Sequence, residues 1–289
     1  MAIAGETITQ LAADLYEWSL KKVPDDTKAA LAAAAPVERN TTGRETLVIM
    51  LRSADAAERT GGLVCSDVGI PTYSVKIGTR VQFDGPVRQA IVDGFARMAA
   101  RSDPPILKMV TNPLTHERSH AGKDMPIVTF DVVDGADYVD ITCAPKAMGT
   151  GRWEAAKTFV YPSLEQIEAF VLETVLESGS QACPPIVVGV GIGGTLDHAA
   201  RLAKEGVLRP FDQENAEPML AAMEQRLLRK INTMGFGPMG TGGDTTAMAV
   251  HADYSASHGF VPVAVSLNCW INRRTRARIH HDGRVERIE

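Results

Sequence analysis

The sequence predicts a mixed α/β (α+β) protein, and three observations support this fold class. Apolar residues recur at helical spacing through the first sixty residues, β-rich stretches alternate with helical ones after that, and glycine-rich loops separate several of these elements. At 289 residues the chain is long enough to bury a substantial core. We expect one domain over 1–289, with a helical cap at about 1–60 and an α/β part at about 61–289.

The first sixty residues predict three helices. Residues Ile8, Leu11, Leu15 and Trp18 share one face of "ETITQLAADLYEWSLKKV". The next stretch, "DDTKAALAAAAPVE", is rich in alanine, the strongest helix former, and "RETLVIMLRSADAAERTGG" ends in glycines.

Strands and helices then alternate along the chain. The segments "PTYSVKIG" (71–78) and "MPIVTFDVVDGADYVDITCAP" (125–145) are β-rich, and the Asp-Gly of the second predicts a hairpin turn. Between them "PVRQAIVDGFARMAA" predicts a helix. Ser163 and Gln166 form a capping-box pattern for a helix that we expect to end at Gly179.

Elements of the last third are predicted by the same signals. An apolar strand in "PPIVVGVGIGG" precedes a helix in "TLDHAARLAKEG", and a second helix follows in "ENAEPMLAAMEQRLLRKINTMGFG". The stretches "TTAMAVHADY" and "FVPVAVSLNCWI" predict strands.

Composition and charge exclude some classes of function. A net charge of −5 and the absence of basic clusters interleaved with aromatics argue against nucleic-acid binding. The short run "NRRTRAR" (272–278) is expected to be a solvated or substrate-facing strand end. No apolar run approaches about 18 residues and no basic leader is present, so we expect a cytoplasmic protein without a membrane span.

Four cysteines and three glycine loops are the candidate chemical features. Cys65, Cys183 and Cys269 stand in loops or at strand ends, whereas Cys143 lies inside an alternating strand and is expected to pack as a small hydrophobe. In a reducing compartment such thiols are either free or metal ligands, and no C-x-x-C pair decides between these. The glycine loops at 145–152, 189–195 and 235–246 are either tight packing turns or anion-binding turns.

In combination, four motifs carry a family resemblance. Taken in order, "CSDVGIPTYSVKIGT", "VVGVGIGGT", "GFGPMGTGGDTT" and "VPVAVSLNC" resemble the α subunit of the iron–sulfur hydro-lyases, class I fumarase and L-tartrate dehydratase. The likeness runs from about residue 8 to 278, and "APK" at 144–146 and "CPP" at 183–185 belong to the same series. It implies reversible addition of water across the double bond of a small dicarboxylate.

The resemblance also implies a cofactor and site residues. A [4Fe–4S] cluster would be held by Cys65, Cys183 and Cys269, leaving one iron without a protein ligand and open to a substrate hydroxyl as a Lewis acid. The matching catalytic residues are Asp67, which would handle the proton at the hydroxyl oxygen, and His258, which stands one position closer to Pro262 than in the family. Asp67 could instead only cap its loop, and His258 could be a surface histidine. The substrate-binding residues implied are Ser66, Lys146, Gly193, Gly194, Thr195, Gly242 and Gly243.

Departures from the family pattern concern the substrate. Fumarases typically have Cys-Gln-Asp where this chain has Ser66 in the middle, and a Gly-Gly-Gly run where it has Ala147, Met148 and Gly149. The segment "NPLTHERSHAGKDMPIV" also lacks the fumarase-like Asn-Thr-Gly-Asp-Asn stretch. We expect the same reaction type on an altered substrate.

The chain ends at Glu289, just past the predicted strand that contains "RRTRAR". We therefore expect the family's β part on a separate subunit, within an α2β2 complex that contains an α dimer. Two other functions remain compatible with the sequence. One is a cluster-free protein that binds an anion or nucleotide, and the other is a noncatalytic assembly subunit whose cysteines only pack.

Overall fold

The computed structural model describes residues 2–289 and confirms the mixed α/β fold. The helices are α1 (Gly5–Lys21), α2 (Asp25–Ala34), α3 (Thr41–Thr60), α4 (Val87–Arg101), α5 (Met148–Gly151), α6 (Leu164–Ser178), α7 (Leu196–Gly206) and α8 (Pro218–Asn232). The strands are β1 (Ile3–Ala4), β2 (Thr72–Gly78), β3 (Phe83–Asp84), β4 (Val110–Thr111), β5 (Arg118–Ser119), β6 (Ile127–Val133), β7 (Tyr138–Cys143), β8 (Ala155–Val160), β9 (Ile186–Gly193), β10 (Ala247–Ser255), β11 (Phe260–Asn268), β12 (Thr275–His280) and β13 (Val285–Arg287). Among residues 2–289, no helix combines the length and the hydropathy needed to span a bilayer.

Local helix signals are confirmed. The three N-terminal helices form where the spacing predicts them, as α1, α2 and α3. At the start of α6 the Ser163 hydroxyl accepts the Gln166 N–H at 3.3 Å, and the Gln166 side chain accepts the Ser163 N–H at 2.9 Å. This reciprocal pair satisfies two N–H groups that a helix end otherwise leaves unpaired.

The described chain divides into two compact units. The first unit contains the N-terminal stretch to Pro24, Ala54–Ala147 and Arg273–Glu289, and the second contains Asp25–Ser53 and Met148–Asn272. The chain passes from the second unit to the first within α3. The first sixty residues are therefore shared between the units, and organisation as a single domain stays a prediction.

A five-stranded sheet with the order β13-β12-β7-β2-β6 forms the frame of the first unit. Strand β2 pairs in parallel with β6 and antiparallel with β7, so it lies between them. The predicted hairpin at Asp134-Gly135 is therefore wrong. The Asp-Gly pair does reverse the chain, and the Gly135 N–H donates to the Thr79 hydroxyl at 2.8 Å, but turn residues do not determine which strands pair.

Helix α1 packs on β7 and β12 of this sheet, α4 packs on α1, and apolar residues of both helices and of the sheet form the core of the first unit. Tyr16 and Phe95 meet edge to face at 4.9 Å, and a methyl group on Gly94 would lie 2.3 Å from the Thr9 carbonyl oxygen. Cys143 is fully buried in this core, as the sequence predicts, and burial raises the pKa of its thiol.

The second unit contains a four-stranded sheet with the order β10-β9-β11-β8. Helix α7 packs directly on β9, where methyl groups on Gly189 and Gly191 would lie 1.9 Å from the carbonyl oxygens of Ala203 and Ala199. Valines of β9, Val188 among them, pack in an apolar core with α6 and α8. The first glycines of "GVGIGG" are therefore required for packing, because a side chain there would force the helix off the sheet.

Candidate active site

A turn after α3 carries the Cys-Ser-Asp motif. Cys65 and Asp67 are half-buried, and Ser66 is exposed. The Asp67 carboxylate accepts the N–H of Gly69 at 2.9 Å, and Gly69 takes a φ of +74°, which favours glycine. Asp67 therefore caps its own loop, and this contact fixes the direction of its side chain.

Two further segments of the first unit hold this turn in place. The buried Tyr16 hydroxyl donates to the carbonyl oxygens of Val68 at 2.9 Å and Gly69 at 3.3 Å. Ile70 and Lys146 exchange backbone hydrogen bonds of 2.8 and 2.9 Å. The structure thus brings Cys65, Ser66 and Asp67 next to the Ala-Pro-Lys segment, and Tyr16 is a supporting residue that sequence reasoning missed.

Cys183 and Cys269 come together in the second unit. The N–H of Trp270 donates to the carbonyl oxygen of Cys183 at 3.2 Å. Cys183 has a φ of +52°, a left-handed conformation that costs a residue with a side chain about 1 kcal/mol or more. Both cysteines are half-buried, and none of the four cysteines forms a disulfide. Strain of this kind is concentrated at functional sites.

The side chains of Cys65, Cys183 and Cys269 do not form a metal-binding group in the described part of the chain. Within residues 2–289, His, Cys, Asp and Glu side chains nowhere gather in threes closely enough to hold a metal ion. Cys65 belongs to the first unit, whereas Cys183 and Cys269 belong to the second. The ligand role of these three cysteines therefore stays a prediction.

The turn at 193–195 lies beside the turn that carries His258. Gly193 and Gly194 have φ values of +86° and +63°, and the Ser257 hydroxyl donates to the Gly194 carbonyl oxygen at 3.2 Å. Thr195 then precedes the first residue of α7 as its N-cap. His258 is exposed, and its ring stacks on Phe260 at 5.3 Å. The structure brings these predicted residues together, and their contact with substrate stays a prediction.

A carboxylate of the chain itself fills much of the glycine loop at 237–245. Glu38 is 2% exposed, and its oxygens accept the N–H groups of Asp244 and Thr245 at 2.9 Å and the Thr245 hydroxyl at 2.8 Å. A methyl group on Gly243 would lie 2.6 Å from a Glu38 oxygen, and Gly242 takes a φ of +84°, which favours glycine. Gly243 thus has a packing reason and Gly242 a conformational one, whatever they contribute to a substrate.

The same contacts settle the charge of Glu38. Burial alone would raise the pKa of this carboxyl, but the N–H groups of Asp244, Asn40 and Thr245 and the Thr245 hydroxyl outweigh burial and hold the pKa below its usual value. Glu38 is therefore an anion bound within the fold. Sequence reasoning missed it because no local pattern connects it to a loop 206 residues away.

The arginine run after Cys269 is buried where it begins. Arg273 is 4% exposed and Arg274 is 3% exposed, so the prediction of a solvated strand end is wrong for both residues. Arg274 donates to Glu289, while Nε and Nη2 of Arg273 are buried without a hydrogen-bond partner. The alternative prediction, a substrate-facing strand end, remains open for Arg273.

Comparison with known proteins defines the class of the protein. The family described as fumarate hydratase (Fumerase) matches residues 9–278, and the chain belongs to this family. A provisionally named L(+)-tartrate dehydratase subunit alpha of Methanocaldococcus jannaschii is 33% identical over 96% of this chain and 99% of its own length. The L(+)-tartrate dehydratase subunit alpha of Escherichia coli strain UTI89 is 28% identical over 99% and 95%. The chain is accordingly a hydro-lyase of the fumarase and tartrate dehydratase type.

Proposed function

We propose that the chain is the α subunit of a hydro-lyase that reversibly dehydrates a small hydroxydicarboxylate. The observation that carries this proposal is the Cys65–Asp67 turn, in which a thiol, a carboxylate and the adjoining Lys146 segment are fixed by backbone contacts. The relatives of similar length are named as tartrate dehydratase α subunits, which supports a separate β subunit. An α2β2 assembly in the cytoplasm is part of the proposal.

The cofactor proposed is a [4Fe–4S] cluster on Cys65, Cys183 and Cys269. The donor chemistry fits, because these three thiols are half-buried, while Cys143 is fully buried and its raised pKa disfavours the thiolate that a metal needs. Three cysteines suit four irons with one left for substrate, and when bound the cluster supplies Lewis-acid activation of the substrate hydroxyl.

The chain's own residues then move the proton and hold the substrate. In dehydration a base takes the C3 proton and the electron pair of the C3–H bond becomes the C2–C3 double bond. The C2–O bond breaks as Asp67 delivers a proton to the departing hydroxyl, which leaves as water. In hydration Asp67 takes that proton back. Lys146 supplies a positive charge for a substrate carboxylate, and the turn at 193–195 and His258 act as further orienting groups.

A hydroxylated substrate such as L(+)-tartrate is the first candidate. Ser66 is exposed beside Asp67, at the position where fumarases typically have the longer glutamine. A shorter hydroxyl side chain leaves more room and offers a hydrogen bond to an additional substrate hydroxyl. Malate, fumarate and their methylated relatives are the natural comparisons.

One rival function is a cluster-free protein that binds an anion or nucleotide. Glu38 counts against this rival at the loop 237–245, because its carboxylate already accepts the N–H groups of Asp244 and Thr245 that a phosphate would need. An assembly role without catalysis is disfavoured by the match of residues 9–278 to the fumarate hydratase family.

The deciding experiment is a turnover assay on the chain co-expressed anaerobically with its candidate β subunit. Tartrate, malate, fumarate and mesaconate are supplied separately. Formation or loss of the conjugated double bond is followed by ultraviolet absorbance for malate, fumarate and mesaconate, and the 2-oxo dicarboxylate that tartrate gives on losing water is measured directly. We expect turnover of one acid in this panel, and a kcat at least about 10²-fold lower with Asp67→Asn. An iron-loaded complex that converts none of them would refute the proposed function.

A further inference from the structure

Arg273 is a buried charged side chain whose bonding is incomplete. Within residues 2–289, the buried side-chain nitrogens without a hydrogen-bond partner are Trp153 Nε1, Arg209 Nε and, on a single guanidinium, Arg273 Nε and Nη2. Arg209 still donates to the Glu224 carboxylate through Nη2 at 2.7 Å. A buried guanidinium with unpaired donors is strongly unfavourable unless a partner arrives.

The two unpaired nitrogens define the shape of that partner. Nε and Nη2 lie on one edge of the planar guanidinium, and their parallel N–H bonds match the two oxygens of a carboxylate. Elsewhere in this chain the same edge binds carboxylates. Arg39 contacts Asp244 at 2.7 and 2.5 Å, and Arg278 contacts Asp140 at 2.7 and 2.9 Å.

The neighbouring Arg274 provides the closest comparison. It is equally buried, and its Nε and Nη2 bond the two carboxylate oxygens of Glu289 at 2.9 and 2.8 Å. Two successive arginines are thus similarly buried, and of the two only Arg274 has a carboxylate on its Nε–Nη2 edge.

Arg273 belongs to the surroundings of the Cys65–Asp67 turn in the first unit. The Thr275 hydroxyl donates to the Leu15 carbonyl oxygen at 2.7 Å, which fixes the start of β12 against α1. The next residue, Tyr16, interacts electrostatically with both Arg273 and Asp67. Its hydroxyl donates to the carbonyl oxygens of the two residues that follow Asp67.

We propose that Arg273 binds one carboxylate of the substrate through its Nε–Nη2 edge, next to the turn that carries Asp67. The carboxylate class follows from the edge geometry. That the carboxylate belongs to a hydroxydicarboxylate substrate rests on the proposed function. A carboxylate side chain of the β subunit is a different occupant, and the experiment below separates the two.

The test is a thermal unfolding titration of the full chain with malonate and L-tartrate, with sodium chloride at matched ionic strength as the salt control. For the wild type we expect the unfolding midpoint to rise by several degrees with either dicarboxylate. Arg273→Met should unfold at a higher temperature than the wild type in chloride, because it removes an unpaired buried charge, and its midpoint should no longer respond to dicarboxylates.

Two matched variants make the result specific. Arg274→Met removes a paired arginine, so it should unfold at a lower temperature and keep the dicarboxylate response. Arg273→Lys keeps the charge but not the two-donor edge, and its dicarboxylate dissociation constant should rise about 10- to 100-fold.

Two outcomes would overturn the proposal. A wild-type midpoint that ignores dicarboxylates would assign the edge to another occupant, such as a β-subunit carboxylate. An Arg273→Met chain that is less stable in chloride but still responds to dicarboxylates would assign a packing role. A dicarboxylate response that depends on Arg273, combined with an iron-loaded αβ complex that converts none of the acids, would keep this inference and refute the hydro-lyase proposal.

Discussion

The sequence predicts the glycine loop at 237–245 as a packing turn or an anion site and the Cys65–Asp67 turn as part of a catalytic site, and the structure separates the two. In the loop, the N–H groups of Asp244 and Thr245 already bind the buried carboxylate of Glu38. In the first unit, Nε and Nη2 of the buried Arg273 have no hydrogen-bond partner within the described chain. The donors of a glycine-rich loop can therefore already be bound by a side chain of the same protein. A buried arginine with unpaired nitrogens, in contrast, still has donors available for a ligand.

The largest expected effect is the loss of turnover when a proposed cluster ligand is replaced. It tests whether the Cys65–Asp67 turn belongs to the active site. Cys65→Ser, Cys183→Ser and Cys269→Ser should each abolish turnover and lower the iron content, because serine is a poor ligand for an iron–sulfur cluster. Iron and sulfide analysis after anaerobic purification measures this. Cys143→Ser is the control, since Cys143 lies in the core; unchanged iron in all three ligand variants would refute the assignment.

Asp67→Asn tests proton transfer by the turn, with a smaller expected effect on turnover than loss of a cluster ligand. Asparagine keeps an oxygen that can accept the Gly69 N–H, so the loop should remain capped, but it cannot carry the proton. We expect kcat to fall about 10²- to 10⁴-fold with iron content unchanged. A variant with normal kcat would reduce Asp67 to its capping role.

Glu38→Gln tests the other half of the comparison through stability. The amide loses the negative charge and places an NH₂ group against backbone donors, so the free energy of unfolding should fall by about 2–3 kcal/mol. Chemical denaturation measures the change. Glu45→Gln, on the exposed face of α3, should change stability by less than about 0.5 kcal/mol, and equal losses in both variants would contradict the role of Glu38.

The smallest effect is the pH dependence of that stability. Because the folded-state pKa of Glu38 lies below its ordinary value of 4.5, the contribution is complete above that pH and is lost as the pH falls through the folded pKa. Wild-type stability should therefore decline more steeply below about pH 4.5 than that of Glu38→Gln. Denaturation curves between neutral and acidic pH would show parallel declines if Glu38 contributed nothing.

Much of the fold was predictable because its signals are local. Helical periodicity and the Ser163–Gln166 capping box depend on neighbouring residues, and the structure confirms them. The Asp134-Gly135 hairpin failed because strand pairing is decided by long-range contacts, which place β2 between β6 and β7.

The candidate site was predictable only where a motif exists. Cys65, Asp67 and Lys146 came from the family resemblance, and the structure brings their segments together. Glu38 was missed, and the burial of Arg273 was not anticipated, both for physical reasons. The partners of Glu38 are far away in the chain, and a run of arginines is usually solvated, whereas this run begins in the interior.

The most direct test of the central claim combines iron and sulfide analysis with thiol labelling of the anaerobically reconstituted chain and its β subunit. The account predicts about four irons per α chain and protection of Cys65, Cys183 and Cys269, with an electron paramagnetic resonance spectrum of the reduced protein that changes on adding one dicarboxylate. An absence of iron after reconstitution, with those three thiols still labelled, would contradict it.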